Sequence, residues 1–237
     1  MIGVKIMDES NILNAESGSY KTVYEKVIIE KVRRKLYLFT KRIFDILISI
    51  VLLLFFSPLL ILISIFIKAE DKGSAFIVQE RIGKDGKIFK FYKFRSMVSN
   101  ADDVLKEMLK DSKLKREYKK NMKFKNDPRI TKVGKFIRKT SIDELPQLLN
   151  VLKGDMSLIG NRPYLPREKE DMEEYYEDIV SSKPGITGYW QVNGRSSVSF
   201  EDRLKLESFY SKNMDLLLDI KIFFLTFYVV FFGRGAE

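Results

Sequence analysis

Cysteine and histidine are both absent from the 237 residues. Without cysteine there is no disulfide framework, no thiolate nucleophile and no cysteine metal site. Without histidine, the commonest general base and the commonest metal ligand are lost together. Any chemistry must therefore run on carboxylates, hydroxyls, Lys, Arg and Tyr, joined by a hard cation that prefers oxygen if by any metal. Residues 1–40 do not read as a secretory signal, because they are polar and the apolar run after them starts too late and is too long. No internal repeat is found. Lys and Arg number 42 against 32 Asp and Glu, a formal charge of +10. No helix-turn-helix, zinc-finger or aromatic RNA-binding pattern accompanies that charge, so it reads as attraction to anionic headgroups and phosphorylated substrates, not to nucleic acid.

What the chain does have is a run of 22 residues, Ile46 to Ile67, without a single charge. As a straight helix it would measure roughly 33 Å, enough to cross a hydrocarbon core of about 30 Å. Ser57-Pro58 sits near its middle. Proline has no N–H and collides with the carbonyl four residues back, that of Leu54, and the Ser57 hydroxyl can bond back to Leu53 or Leu54. Lys31, Arg33, Arg34, Lys35, Lys41 and Arg42 precede the run and Lys68 and Lys72 follow it, so both flanks carry the cytoplasmic signature. The economical reading is a re-entrant helical hairpin, with a single kinked spanning helix as the alternative.

Around this run the chain divides into a polar and basic lead-in over 1–40 with a break at Ser17-Gly18-Ser19, a re-entrant membrane helix over 41–68 broken at Ser57-Pro58, and a cytoplasmic catalytic domain over 69–237. The expected fold is α+β and mainly helical. Ala75–Glu80 and Lys87–Phe94 read as strands joined across Gly83-Lys84-Asp85-Gly86, where Asp-Gly signals a hairpin. Residues 101–125 read as one solvated helix ended by Asn126-Asp127-Pro128. A helix is expected over 143–153 with Leu145, Leu148, Leu149 and Leu152 on one stripe, followed by a loop over 155–166. Residues 167–181, rich in Asp and Glu, read as a solvated helix, and Lys183–Arg195 as a loop. A last helical region covers 199–232. Its uncharged end, Ile222–Phe232, is too short to span and suits an amphipathic helix lying in the membrane interface.

Asp143-Glu144 is the candidate catalytic pair. Ser141-Ile142-Asp143-Glu144 also matches a capping box, which is a structural device. With Asp143 as cap, Pro146 would fall third in the helix, where its missing N–H costs nothing, and the carboxylate would sit at the positive helix end. Capping and anion binding share that geometry, and the residues leave both open. Lys93, Arg95, Arg129, Arg138, Arg162 and Arg195 are dispersed, several beside Pro or Gly. Arginine in such loops is suited to a two-pronged grip on phosphate. A carboxylate nucleophile, arginine clamps and a membrane hairpin together point to phosphoryl transfer onto or from a lipid.

From Lys41 onward the chain closely resembles the bacterial sugar transferases known as monotopic phosphoglycosyl transferases. The resemblance rests on Lys41-Arg42-Ile43-Phe44-Asp45, Ser57-Pro58, Phe91-Tyr92-Lys93-Phe94-Arg95-Ser96-Met97 and Asn126-Asp127-Pro128-Arg129-Ile130-Thr131. It continues through Thr140-Ser141-Ile142-Asp143-Glu144-Leu145-Pro146-Gln147-Leu148, Gly154-Asp155-Met156-Ser157-Leu158-Ile159-Gly160, Lys183-Pro184-Gly185-Ile186-Thr187-Gly188 and Gln191-Val192-Asn193-Gly194-Arg195.

It implies a polyprenyl-phosphate hexose-1-phosphate transferase on the cytoplasmic face of the bacterial inner membrane, initiating a surface polysaccharide. The implied partners are a UDP-sugar (galactose or glucose favoured), polyprenyl (undecaprenyl) phosphate and membrane lipid, with room for a homodimer. Asp143 would attack the sugar-linked phosphorus and release UMP, and Glu144, with Asp143, would hold Mg²⁺. Lys93, Arg95, Arg138, Arg162, Pro163, Gln191 and Arg195 form the implied substrate- and phosphate-binding set. Where the family has Gly-Pro-Arg-Pro this chain has Gly160-Asn161-Arg162-Pro163, and Asn builds turns without fixing φ. Compared with larger members it reads as a compact catalytic form. A basic membrane-anchored adaptor without catalysis is the rival reading.

Overall fold

The computed structural model describes residues 17–121, 124, 126–194 and 198–232. Its first element, α1 (Ser17–Asp71), is one helix of 55 residues that stays helical through Pro58. The expected break at Ser57-Pro58 is therefore no interruption of the helix. The reason is local: Pro58 cannot donate to the Leu54 carbonyl, and Ser57 Oγ donates to it instead at 2.8 Å. The expected break at Ser17-Gly18-Ser19 instead marks the start of α1, so residues 17–40 are helical, while the rest of the lead-in lies outside the described residues.

Leu47, Val51, Leu54, Phe55 and Ile61 are all exposed on α1, a stretch of apolar surface with no protein cover. Among the described residues this is the one helix long and apolar enough to cross a membrane by length and composition. Both ends of the apolar run nevertheless dock on the same folded body. At one end Arg42 donates to the carbonyls of Val151 and Leu152 (2.5 and 2.9 Å), and Asp45 accepts from Ser157 Oγ and the Leu158 N–H (3.0 and 2.9 Å). At the other end Ile63 and Ile67 pack with Ala75, Phe94 and Ile137, and Asp71 takes a two-pronged grip from Arg95.

The hairpin β1 (Phe76–Ile82) and β2 (Ile88–Phe94) is antiparallel, with Phe76 opposite Phe94 and Ile82 opposite Ile88. Asp85 and Gly86 turn it in the left-handed region (φ 56° and 75°), which is what the Asp-Gly signal requires. The region read as one helix over 101–125 is two, α2 (Ala101–Met108) and α3 (Ser112–Asn121). Asp111 separates them by capping the N–H groups of Lys113 and Leu114 (2.7 and 3.1 Å). Next comes α4 (Lys132–Lys139), whose first amides are held by Thr131 and by Glu70 from the end of α1.

The helix expected over 143–153 starts later: a 3-10 turn covers Ile142–Glu144 and α5 runs Gln147–Lys153 with Pro146 as its cap. Leu149 on the expected apolar stripe is exposed, while Asn150 is buried and bridges to β2, accepting from Tyr92 N–H and donating to the Lys90 carbonyl (3.0 and 2.6 Å).

Two stretches read as loops contain a parallel pair, β3 (Ser157–Ile159) and β4 (Gly185–Thr187). A Cβ on Gly185 would lie 2.1 Å from the Gly160 amide nitrogen, so only glycine lets these backbones meet. The acidic stretch is mostly 3-10 backbone leading into α6 (Tyr176–Val180), with Glu173 in a left-handed conformation (φ 46°). After α7 (Tyr189–Asn193), also in a stretch read as loop, the final helical region divides into α8 (Phe200–Asn213) and α9 (Leu216–Phe232). Asp219 of α9 accepts from Tyr37 and Lys41 of α1 and from Tyr210 of α8, joining α1 to the last two helices.

Candidate active site

Asp143 owes its position to a strained residue. Ser141 adopts a left-handed conformation (φ 56°, ψ 16°), which costs a non-glycine residue about 1–2 kcal/mol. The turn it makes folds the 3-10 segment back against β2 and buries Asp143. The expected capping register is not formed, since α5 begins four residues later and Asp143 caps nothing. Its partner is instead Lys93 of β2, whose Nζ lies 2.8 Å from Asp143 Oδ2 and 3.7 Å from Glu144 Oε1. The side chains are graded in exposure: Asp143 4%, Lys93 25%, Glu144 42%. Asp143 is thus the floor of the site and Glu144 its rim. Glu144 is crowded by protein atoms while one side stays open to solvent. That crowding pushes its carboxyl above the usual range, with Asp143 adding to the push and Lys93 and Arg162 opposing it.

Arg162 follows β3. Asn161, where the family motif has proline, fixes the turn by hydrogen bonds in place of a ring. Its Nδ2 donates to Ser211 Oγ at 2.7 Å and to the Ile179 carbonyl at 3.2 Å, and its own carbonyl accepts from Gly185 N–H at 2.8 Å. The Arg162 N–H donates to Glu207 at 3.2 Å, its guanidinium lies 5.6 Å from the Tyr164 ring centre, and its terminal nitrogen is 3.7 Å from Glu168.

Beside it stands Arg81 of β1, which the motifs did not single out. Arg81 donates to the Pro163 carbonyl at 3.0 Å and covers the Phe91 ring. Burial, followed by the neighbouring Arg162 charge, pulls its pKa down to about 10. Two guanidinium groups near one another, with Glu168 and Glu144 as neighbouring carboxylates, offer a two-pronged grip to a phosphate. The available sequence signal was a lone arginine between Glu80 and Ile82, just before Gly83.

The other candidates are placed differently. Arg95 is buried and committed to Asp71, so the structure assigns it to closing the end of α1 onto β2 and not to the carboxylates. Arg138 is exposed on α4 and donates from Nε to Ser96 Oγ at 2.8 Å, and its carbonyl accepts the Ser141 N–H at 3.2 Å. Pro163 is buried and contributes its carbonyl to Arg81. Gln191 lies half-buried on α7, its Oε1 without a hydrogen-bond partner. Arg195 lies outside the described residues. The structure therefore gathers Lys93, Asp143, Glu144 and Arg162, and adds Arg81.

The bacterial sugar transferase family model matches residues 36–233. The chain belongs to that family. It is 50% identical over 202 residues to the undecaprenyl-phosphate galactose phosphotransferase of Salmonella typhimurium, covering 84% of this chain and 42% of that protein. It is 46% identical to the UDP-galactose-lipid carrier transferase of Erwinia amylovora, with the same coverage. The exopolysaccharide production protein ExoY of Sinorhizobium fredii is 42% identical and is covered over 88% of its length, as against 83% of this chain. The chain thus spans about two-fifths of the first two relatives and most of the third.

As to a metal, two adjacent carboxylates of unequal exposure give Mg²⁺ the oxygen donors it prefers, and Mg²⁺ commonly binds one or two carboxylates together with substrate phosphates. Among the described residues no cluster of three or more metal-ligating side chains occurs. The donor set fits.

Proposed function

We propose that this chain transfers a hexose 1-phosphate from a UDP-sugar to a polyprenyl phosphate at the cytoplasmic face of the membrane. The observation that carries the proposal is the buried Asp143 carboxylate, 2.8 Å from Lys93, with Glu144 on the open side and Arg162 and Arg81 nearby. Lys93 places a positive charge 2.8 Å from the buried carboxylate, which offers its oxygen as the nucleophile. An Asp143 oxygen attacks the sugar-linked phosphorus, an O–P bond forms, the bridging P–O bond breaks, and UMP leaves. A phosphate oxygen of the polyprenyl phosphate then attacks the same phosphorus and returns the carboxylate. Arg162 and Arg81 offset the negative charge that would otherwise keep an anionic nucleophile and a diphosphate apart. Glu144 and Asp143 would hold Mg²⁺, which when bound neutralises diphosphate charge. Galactose in the names of two relatives supports a galactose or glucose donor.

The docking of both ends of the Ile46–Ile67 run on one body supports a re-entrant α1, since a spanning helix would carry its ends to opposite faces. The decisive measurement is UMP release from UDP-galactose, UDP-glucose and N-acetylated UDP-sugars in the presence of polyprenyl phosphate and Mg²⁺. Turnover with a hexose donor and transient labelling of the protein from the β-phosphate are expected. No release with any donor would leave the adaptor reading standing.

A further inference from the structure

Behind Arg162 lies a carboxylate that the reaction as proposed does not use. Glu207 on α8 is 1% exposed, and its Oε1 accepts the Arg162 N–H at 3.2 Å. Its carboxyl has the buried Tyr164 hydroxyl as a polar neighbour, and among the described residues no Lys or Arg forms an ion pair with it. Burying such a charge is costly, and a glutamine could accept the same amide at far smaller desolvation cost. A glutamate here brings an ionisable group as well as an acceptor.

The surroundings show what that charge can do. The Tyr164 ring has two guanidinium groups near it, Arg162 at 5.6 Å and Arg203 at 5.3 Å from its centre. Arg203 is held in turn among Trp190 and Phe200, at 5.1 and 4.6 Å from their centres. Arg81 adds a third cation by way of the Pro163 carbonyl. Three guanidinium groups converge on the segment from Arg162 to Tyr164; Glu168 stands 3.7 Å from the Arg162 guanidinium on its outer side, and Glu207 is the buried carboxyl beneath the segment. On the α6 side of α8 the Asp178 carboxylate is satisfied by Lys212 at 2.6 Å and by the Ser208 hydroxyl at 2.7 Å.

We infer that Glu207 is the positioning residue of Arg162: its carboxylate fixes the Arg162 backbone and offsets the repulsion from Arg203 and Arg81, so that the Arg162 side chain stays available to the diphosphate of the donor. This rests on the reading of Arg162 as a phosphate-binding group. Burial pushes the Glu207 carboxyl up to about 7, against the opposing pull of Tyr164, the Arg162 amide, Arg203 and the Arg162 charge. The same group therefore loses its charge in a range where activity can be measured. A raised carboxyl favours the folded state in its protonated form, so its contribution to stability is lost as pH rises through about 7.

The test is steady-state UMP release by the full chain in membranes or detergent, with Glu207→Gln alone and in an Arg162→Ala background. With Glu207→Gln the donor KM at pH 8 should rise about tenfold, the usual order for losing a charge-assisted hydrogen bond. The KM of the parent should climb as pH falls from 8 to 6, and that climb should disappear in the variant. Its melting temperature at pH 8 should equal or exceed that of the parent, because a buried charge has been removed. In the Arg162→Ala background Glu207→Gln should add nothing to KM. An unchanged KM and pH profile, a full additional loss in the Arg162→Ala background, or a lowered melting temperature would each overturn the inference. Should Glu207→Gln fail to fold, Glu207→Asp retains the charge and should keep the pH dependence of KM; a flat profile there counts equally against it. Absence of UMP release by the parent is a different failure. It removes the reading of the site and this inference with it.

Discussion

Lys93 and Asp143 form a pair in which neither member is indifferent to the loss of the other. Asp143→Asn removes the nucleophile and leaves an amide of the same shape. UMP release should fall by at least about 10⁴-fold, the scale seen when an enzyme loses its nucleophile, and radiolabel from the donor β-phosphate should no longer appear on the protein. A variant that still accumulates label would move the nucleophile elsewhere. Lys93→Met leaves Asp143 buried without its cation, which destabilises by about 3 kcal/mol when one partner of a buried pair is removed. A thermal melt of the two single variants separates these effects: Lys93→Met should melt lower than Asp143→Asn, although both lose turnover. That Asp143, Glu144, Lys93 and Arg162 belong to one candidate site was legible in the sequence because each sits in a motif whose residue types suggest one chemistry. Arg81 and Glu207 were not, because inside a strand and a helix a single charge reads as a solvated face. Arg95 has its pairing hidden from the sequence for a related reason. It stands in the same motif as Lys93, but its partner Asp71 is 24 residues away, and such a pairing leaves no local trace.

Among the elements, β3 and β4 best illustrate what a sequence conceals. Three-residue strands show no period, and a parallel partner 28 residues away supplies no turn signal between them. The β-hairpin was legible for the opposite reason, with alternating strands closed by Asp-Gly. The helix over 101–125 read as continuous because Asp111 looks like one more surface acid, whereas it caps a new helix. α1 depends on Asp45, which is buried and accepts from both Ser157 Oγ and the Leu158 N–H. Asp45→Ala leaves these two donors without an acceptor at a cost of about 1–3 kcal/mol each. Because β3 leads directly to Arg162, the loss should appear in a lowered melting temperature and in a raised donor KM together. A lowered melting temperature with an unchanged KM would mean that the attachment of α1 does not reach the site.

At the scale of the whole molecule, the question is where the membrane lies. Leu54 and Phe55 of α1 and Leu217 and Phe224 of α9 are all more than half exposed, and no protein covers them. If both ends of the Ile46–Ile67 run are tied to one charged body, the run must return to the face it entered. The absence of cysteine makes this directly measurable. Single cysteines can be placed at Ser19, in the first turn of α1, and at Ser112, which is exposed at the start of α3. An impermeant thiol reagent applied to intact cells should miss both, and both should react once the membrane is opened. A spanning α1 would place the two sites on opposite faces, so one of them would label from outside. Pro58→Ala returns an N–H to the Leu54 carbonyl and frees Ser57 from that bond, which straightens a run already long enough, at roughly 33 Å, to cross. That variant should gain outside labelling at one site and lose turnover, since straightening pulls one end of the run away from the body that carries Asp143. Outside labelling of either single-cysteine protein with Pro58 intact would end the re-entrant reading, and an inert Pro58→Ala would assign the topology to the anchors at Arg42, Asp45 and Asp71 and not to the proline.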